Sequence, residues 1–227
     1  MIAFGIQRIS APSGEDPNDL PRLAVLFFED LGGQEESKYL SAGLTVDLIT
    51  ALSGFENLSV LSRSATERYR GSIVDPRTVG ADLDCDYVLE GSVRTIGDSL
   101  RVTANLVDAV DGRQVWARNF DRSRETIFAI QDSIRAGVAV TLGLGSSGRE
   151  ASLDASRWTS NVEAYGFFLA GREELWNFDK NLKADPQHWF EKALELDPDY
   201  VPALAGLSNA KTFNRYYLHH NEPGYYA

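Results

Sequence analysis

"DYVLEGSVRTIGDSLRVTANLVDAVDGRQVWARNFD", which spans Asp86–Asp121, decides the fold of this chain. Apolar and polar residues alternate in three runs, separated by turn residues at Gly97-Asp98 and at Asp108–Gly112. Alternation with a period of two, interrupted by turns, predicts three consecutive antiparallel strands. Because each strand has one apolar side, we expect helices to cover only one face of this meander. The stretch contains no histidine or cysteine, which indicates a scaffold.

The segment before the meander predicts two further strands with helices between them. Two short apolar runs, Leu23–Phe28 and Leu58–Arg63, are typical of strands buried in a parallel sheet. Helical spacing of apolar residues predicts an amphipathic helix over Lys38–Ser53 and a short helix over Ser64–Tyr69. A further helix is expected to start at Asp75-Pro76, where an acidic cap precedes a proline in the first turn.

The segment after the meander predicts one more helix. Ser123 is placed to cap it, and an apolar stripe follows at Ile127, Ile130, Ile134 and Val138. The complete predicted order is β-α-β-α-α-β-β-β-α. Its first three strands pair in parallel through right-handed crossovers, and the meander adds antiparallel strands. The sequence therefore predicts an α/β domain with a mixed sheet.

Composition excludes several classes of partner. The 227 residues carry a formal net charge of -11, which repels nucleic-acid phosphates and anionic membrane surfaces. The longest apolar run is far shorter than the roughly 18 residues that a membrane span needs. The single cysteine, Cys85, allows no internal disulfide and is expected to be a small buried hydrophobe. We expect no nucleic-acid partner and no membrane span in this chain.

Two polar stretches predict the domain boundaries. Residues 1–21 form a linker by composition, which is expected of a segment taken from a longer protein. "LGLGSSGREASLD" (Leu142–Asp154) predicts a second linker at residues 145–160. The α/β domain is then expected over residues 22–144, and an all-α helical hairpin region over residues 161–227.

The helical region resembles the tetratricopeptide repeat in "WFEKALELDPDYVPALAGLSNA" (Trp189–Ala210). Three residues match the 34-residue pattern of that family in register: Phe190, Ala193 and Pro198. Leu204 and Leu207 fit the opening of a following repeat, whereas Pro186 stands where a small residue is expected. The resemblance implies helical hairpins that bind a protein or peptide partner. Apart from the resemblance, the sequence predicts a first helix over Val162–Trp176 and a helix break at Asp197-Pro198. Helical spacing then predicts an inward stripe of Leu204, Leu207 and Ala210 on the next helix.

The front domain resembles the TolB amino-terminal-like (FlgO-type) domain in "RLAVLFFEDLGG", "YLSAGLTVDLITALSGFENLSVLSRSA", the meander and "IFAIQDSI". In bacteria, this domain often lies between an output domain and tetratricopeptide repeats. The output domain is commonly a class III adenylate or guanylate cyclase or a winged-helix DNA-binding domain. Family members usually have proline where Phe27 or Phe28 stands. This departure is expected to leave the fold intact and to alter the turn after the first strand.

Catalysis is not expected in this chain. A class III cyclase needs two metal-binding aspartates, whereas Asp30 is a lone candidate at a strand end. Neither a nucleophile paired with a base nor a metal cluster is visible, so we expect no cofactor and no metal. The three histidines, His188, His219 and His220, are expected to have solvated or packing roles.

A small-molecule or peptide site is one hypothesis for the place where the parallel strands end. In open α/β sheets, ligands favour the crevice beyond the carboxyl ends of the strands. The residues predicted there are Asp30, Arg63, Ser64 and Glu90. The interpretation that we favour from the sequence is that these residues cap helices and pair with each other. A buried apolar pocket with Arg63 pointing into it would favour the ligand site.

Together these features predict a non-catalytic regulatory and protein-interaction segment of a bacterial signalling protein. The parent protein would be an adenylate cyclase or a transcription regulator, on the cytoplasmic or periplasmic side of the inner membrane. A small-ligand sensor and an envelope-associated scaffold protein are the alternatives. A homodimer is also expected to be feasible, because the sheet exposes an edge strand. The polar face of the sheet is expected to be exposed or to meet a partner, and it contains Glu90, Arg94, Arg101, Asn105 and Arg118.

Overall fold

The computed structural model describes residues 20–33, 35–97, 99–123, 126–145, 159–177 and 185–220, without the side chains of residues 35, 36 and 214–220. The expected linkers at residues 1–21 and 145–160 therefore lie largely outside the described residues. The two regions that the linkers were expected to separate are both described.

The α/β domain is built on a mixed sheet of six strands. They are β1 (Arg22–Val25), β2 (Glu29–Asp30), β3 (Ser59–Val60), β4 (Tyr87–Ile96), β5 (Ser99–Asp108) and β6 (Gln114–Ser123). The strand order is β3-β1-β4-β5-β6, and β2 also pairs with β4. The pairs β1–β3, β1–β4 and β2–β4 are parallel, whereas β4–β5 and β5–β6 are antiparallel. The predicted mixed sheet is confirmed.

The helices of the α/β domain begin and end close to the predicted positions. They are α1 (Glu35–Leu52), α2 (Arg63–Thr66), a 3-10 turn (Glu67–Tyr69), α3 (Pro76–Leu83) and α4 (Ile127–Thr141). The Asp75 side chain accepts a hydrogen bond from the Arg77 backbone N–H, at 2.9 Å, and caps α3 as predicted. Thr126, not Ser123, is the N-cap of α4, because β6 extends to Ser123.

The main core lies between one face of the sheet and helices α1 and α4. The predicted stripe of α4 is buried there, and so are Leu100, Val102, Ala104 and Leu106 of β5. Full burial of a valine, leucine or isoleucine side chain stabilises the fold by about 1.5–3 kcal/mol. Alternation in the meander therefore predicted the core face of β5 correctly.

The expectation that the sheet is covered on one face only is wrong at the start of β4. A second, smaller core lies on the opposite face and comprises Ala24, Leu26, Val79, Cys85, Val88 and Ala109. Val79 belongs to α3, which packs against β1, β4 and β5. Adjacent residues of β4, Val88 and Leu89, are both fully buried because helices cover both faces at this end. Cys85 is buried, as predicted.

Pairing in the sheet also corrects the predicted polar face. Arg118 is opposite Ala104, on the face that carries the main core, whereas Glu90 is opposite Asn105 on the other face. Arg118 is nevertheless exposed. The outer polar face therefore comprises Glu90, Arg94, Arg101 and Asn105 without Arg118.

The helical region consists of α5 (Val162–Trp176), α6 (Pro186–Leu196) and α7 (Val201–His220) among the described residues. The bounds of α5 agree with the prediction, and α6 ends before Asp197-Pro198 as expected. On α7 the inward residues are Ala203 and Ala210, whereas Leu204 is 48% exposed, so the predicted position of Leu204 is wrong.

Helix α5 joins the helical region to the α/β domain. It packs against α1 on one side and against α6 and α7 on the other. A Cβ at Gly43 of α1 would lie 2.3 Å from a methyl carbon of Leu169, so the glycine allows the close approach of α1 and α5. The main core is continuous from β1 through α5 to Ala210 of α7. The two regions therefore share one hydrophobic core.

Candidate functional site

A cleft of about 560 Å³ opens where the parallel strands end. Its floor is the outer face of β4 and β5, and one wall is the connection from Arg70 to Val74. The opposite side is formed by β2 and the first turns of α1. A volume of this size falls within the range of small-molecule sites in proteins.

The floor of the cleft is polar. Glu90 and Ser92 of β4 are directly opposite Asn105 and Thr103 of β5 in the antiparallel register, so their side chains share one face. Glu90 is partly buried, and burial raises the pKa of its carboxyl group. No hydrogen bond from a described residue reaches this carboxylate, so it is a charge without a protein partner in the described part of the chain.

Asp30 also lines the cleft, but its carboxylate is already engaged. Its Oδ1 atom accepts hydrogen bonds from the Gly32 backbone N–H at 2.9 Å and from the Ser37 hydroxyl at 2.5 Å. These bonds fix the turn between β2 and α1. Asp30 therefore lies at the predicted place, with a visible structural role.

Arg70 forms part of the wall of the cleft. Its guanidinium lies over the ring of Phe27, 4.6 Å from the centroid, and Phe27 also lines the cleft. The same guanidinium donates through Nη1 to Glu67, at 3.3 Å, and to Glu173 of α5. Arg70 thus contacts both the cleft and the helical region.

Arg63 lies behind this wall, outside the lining of the cleft. Its Nη2 atom donates to Glu173 at 2.7 Å, and its guanidinium lies 4.4 Å from the ring of Trp176 and 5.4 Å from that of Phe27. The pocket with Arg63 pointing into it, which would have favoured a ligand site, is not seen here, because Arg63 starts α2 and pairs with Glu173. Ser64 is exposed on α2 and also lies outside the lining.

These side chains form an ion cluster at the interface of the two regions, which we name the Glu173 cluster: Arg63, Glu67, Arg70 and Glu173. Burial raises the pKa of Glu173, but hydrogen bonds and positive charge from Arg70 and Arg63 outweigh it, and the pKa is lowered. The cluster therefore stabilises the ionised form of Glu173 at neutral pH.

A second cluster, the Asp47 cluster, joins the same regions and comprises Asp47, Gln131, Tyr165 and Arg172. Asp47 of α1 accepts hydrogen bonds from the Tyr165 hydroxyl and from Arg172 of α5, the latter at 2.8 Å. Gln131 of α4 donates to the Tyr165 oxygen at 3.0 Å and to Asp47 at 3.3 Å. Burial and the charge of Asp47 raise the pKa of Tyr165 well above its usual value, so Tyr165 remains a hydrogen-bond donor.

The other candidate residues give no site in the described part of the chain. Burial raises the pKa of the Cys85 thiol, which disfavours a reactive thiolate. His188 contacts the Trp189 ring edge-on, and the side chains of His219 and His220 fall outside the described residues. Among the described residues, no group of three or more potential metal ligands comes together. No helix in that part of the chain is both long and apolar enough to span a membrane.

Sequence reasoning missed Arg70, Glu173 and the Asp47 cluster. One signal was present in α5, where Tyr165, Arg172 and Glu173 interrupt a helix that is otherwise largely apolar. Polar groups inside such a helix need partners from a neighbouring element. A second signal was the Phe27-Phe28 pair, because the resembling family usually has proline at one of these two positions. The first of them, Phe27, is the one in contact with the cluster. Its ring now contacts both arginines of the Glu173 cluster.

Comparisons with known proteins place this architecture among regulators. Residues 19–136, just over half of the chain, match the family described as "HilA/YgeH-like transcriptional regulator, second domain". This family is a regulator domain and not a catalytic cyclase domain. Over 199 residues the chain is 33% identical to a protein of Rhizobium meliloti (strain 1021) named "Putative adenylate cyclase 3". The match covers 86% of this chain and 34% of that protein, so the chain spans about a third of the relative's length.

Two solved structures are also similar. The lipoprotein GNA1162 from Neisseria meningitidis is 14% identical, with a TM-score of 0.41, over 53% of this chain and 99% of that chain. TolB from Acinetobacter baumannii is 14% identical, with a TM-score of 0.41, over 56% of this chain and 29% of that chain.

Proposed function

The chain belongs to the family of the HilA/YgeH-like transcriptional regulator second domain, and from this premise we propose that it is a non-catalytic regulatory module of a bacterial signalling protein. It receives an input through the helical region or the cleft and passes it to an output domain. The output is cyclic nucleotide synthesis or transcription, the two activities named in the matching family and relative.

The observation that carries this proposal is the buried polar interface between the two regions. Both the Asp47 cluster and the Glu173 cluster connect the α/β domain to α5. Buried ionic contacts need correct geometry to offset their desolvation, so they fix one arrangement of α5 on the domain. A contact made by the helical region is therefore transmitted to the sheet through a defined joint.

We also propose that the helical region forms tetratricopeptide-type hairpins that bind a protein or peptide. Phe190 and Ala193 of α6 are buried between α5 and α7, where the repeat pattern places its small and aromatic residues. A Cβ at Gly171 or Gly206 would lie within 3 Å of the Phe190 ring, so both neighbouring helices approach this ring closely. Side chains on such helical pairs are well placed to recognise a partner.

A test of the regulatory role uses the gene that encodes this chain in its own cell. We expect deletion of codons 22–220 to change the cellular cyclic AMP level or the set of transcribed genes. Glu173→Gln should change the same output in the same direction, because it weakens the joint. Glu191→Gln, which alters an exposed residue of α6, is the matched control. If the deletion changes neither output, the regulatory role is excluded.

A small-ligand sensor is the second candidate, and the cleft favours it. The cleft has a suitable volume and contains the partly buried Glu90 carboxylate, which no described residue neutralises. A partly buried acid whose pKa is raised and which lies in a cleft is a feature of binding sites.

A further inference from the structure

We propose that the cleft binds a small zwitterion of the α-amino acid type, with the ligand ammonium group on Glu90 and the ligand carboxylate on Arg70. This inference rests on the sensor role proposed for the cleft. It does not depend on the protein-binding role of the helical region, which can stand if the ligand does not bind.

Glu90 would hold the ammonium group of the ligand. Its carboxylate is partly buried on the cleft floor and receives no hydrogen bond from a described residue. A bound cation would recover the interaction that burial removes from this charge. The adjoining floor residues, Ser92, Thr103 and Asn105, provide further hydrogen-bonding groups around the same position.

Arg70 would hold the carboxylate of the ligand. Only its Nη1 atom donates to a described residue, so Nε and Nη2 retain their donors in the described part of the chain. The planar guanidinium is held against Phe27, which fixes its orientation. Two adjacent N–H donors of an arginine match the two oxygens of a carboxylate.

The other charged groups of the cleft are either engaged in the fold or exposed to water, so they do not compete with Glu90 and Arg70 for the ligand. The Asp30 carboxylate accepts from Ser37 and from a backbone N–H, and it belongs to the turn after β2. Glu29 and Lys38 are exposed at the rim, where water solvates them. The two sheltered groups with binding capacity are therefore one acid and one base. This pair favours a ligand with both charges over a simple amine or a simple anion.

Arg70 also gives the ligand a route to the helical region. The guanidinium that would hold the ligand carboxylate is the one that pairs with Glu173 of α5. A carboxylate in the cleft would share this positive charge and weaken the pair with Glu173. Ligand binding would thus loosen α5 without a direct contact between ligand and helix.

The first experiment is a titration of the 227-residue chain with each of the twenty L-amino acids at millimolar concentration, followed by NMR and isothermal titration calorimetry. We expect at least one to bind. The corresponding amine without the carboxylate and the N-acetylated amino acid should each bind at least about tenfold more weakly, because each loses one charged hydrogen bond. Glu90→Gln and Arg70→Gln should reduce affinity about 10–100-fold.

Two further variants keep the test falsifiable. Arg70→Lys keeps a positive charge beside Glu173 but lacks the paired N–H donors of arginine. This variant should therefore fold, and it should bind the amino acid more weakly than the wild type does. Arg113→Gln, in the exposed β5–β6 turn, should bind as the wild type does. The inference is overturned if none of the twenty amino acids binds, if the bare amine binds as tightly, or if Glu90→Gln binds like Arg113→Gln. Loss of the cellular output on deletion of codons 22–220 reports on the regulatory role separately.

Discussion

Two glutamates of this chain have opposite environments, although burial acts to raise the pKa of both. Glu173 lies at the joint between the two regions, where Arg63 and Arg70 donate to its two oxygens and lower its pKa. Glu90 lies on the cleft floor, where burial raises its pKa and no described residue donates to it. The fold has thus neutralised the acid that holds the two regions together and left the acid in the cleft without a partner.

This difference separates structural charge from available charge. Removal of one partner from a buried ion pair is strongly destabilising, because the other partner remains as an uncompensated charge. Substitution of Glu173 should therefore lower stability, whereas substitution of Glu90 should not. Substitutions at paired and unpaired charges should therefore differ in their effect on the free energy of unfolding.

The Asp47→Ala substitution should have the largest effect on stability. It leaves Arg172 without its carboxylate and the buried Tyr165 hydroxyl without its acceptor. We expect the free energy of unfolding to fall by about 3–5 kcal/mol. Urea denaturation followed by circular dichroism measures it. Asp132→Ala, on the exposed side of α4, should change it by less than about 0.5 kcal/mol. Equal effects of the two substitutions would contradict a buried Asp47 cluster.

The Glu173→Gln substitution should lower the free energy of unfolding by about 2–3 kcal/mol at neutral pH, because Arg63 and Arg70 lose a shared charge partner. The folded pKa of Glu173 is below its unfolded value, so its ionised form stabilises the fold above the unfolded pKa of about 4.3. That contribution is lost as pH falls through the folded pKa. The difference between wild type and variant should therefore shrink on acidification. A difference that grows at low pH would contradict the pairing.

The Gly43→Ala substitution should lower stability by about 1 kcal/mol. The new methyl group would overlap Leu169 of α5, at a cost of about 1–3 kcal/mol, which the better helix propensity of alanine offsets in part. Gly166→Ala is the matched control, because a Cβ at Gly166 of α5 meets nothing within 4 Å. The control should raise stability by about 0.5–1 kcal/mol. If both variants are stabilised, α1 and α5 are not in close contact.

The Glu90→Gln substitution should have the smallest effect and the opposite sign. The folded pKa of Glu90 is above its unfolded value, so ionisation in the folded state costs stability as pH rises above the unfolded pKa. Removal of the charge should therefore raise the free energy of unfolding by up to about 1 kcal/mol at neutral pH. The gain should vanish below about pH 4, where both states are protonated. A loss of stability in Glu90→Gln would contradict this prediction, because it would indicate that the carboxylate has a partner in the fold.

The sheet could be predicted from the sequence because its signals are local. Alternation along β5 placed Leu100 and Leu106 in the core, and the cap at Asp75 and the break at Asp197-Pro198 also depend on neighbouring residues alone. The second core behind β4 was not predicted. The apolar run around Val88 and Leu89 was interpreted through alternation, although both residues are buried.

The sequence predicted the edge of the sheet at which the cleft lies, and the binding role of that cleft stays a prediction. Asp30 and Glu90 lie in the cleft because the parallel strands end there. Arg63 lies in the interface instead, where it pairs with Glu173. This partner is 110 residues away along the chain. No local pattern specifies a pair at that separation, and this is also why Arg70 was missed.

The long separation within the Asp47 cluster has a consequence for synthesis. Asp47 and Arg172 are 125 residues apart, so α1 is made well before the helix that covers it. At roughly 5–20 residues per second, a ribosome needs about 6–25 s to add the intervening segment. During that interval α1 lacks the contact between Gly43 and Leu169 and the ion pair between Asp47 and Arg172. Both contacts become available only when α5 has been made, so the joint between the two regions is expected to form late in synthesis.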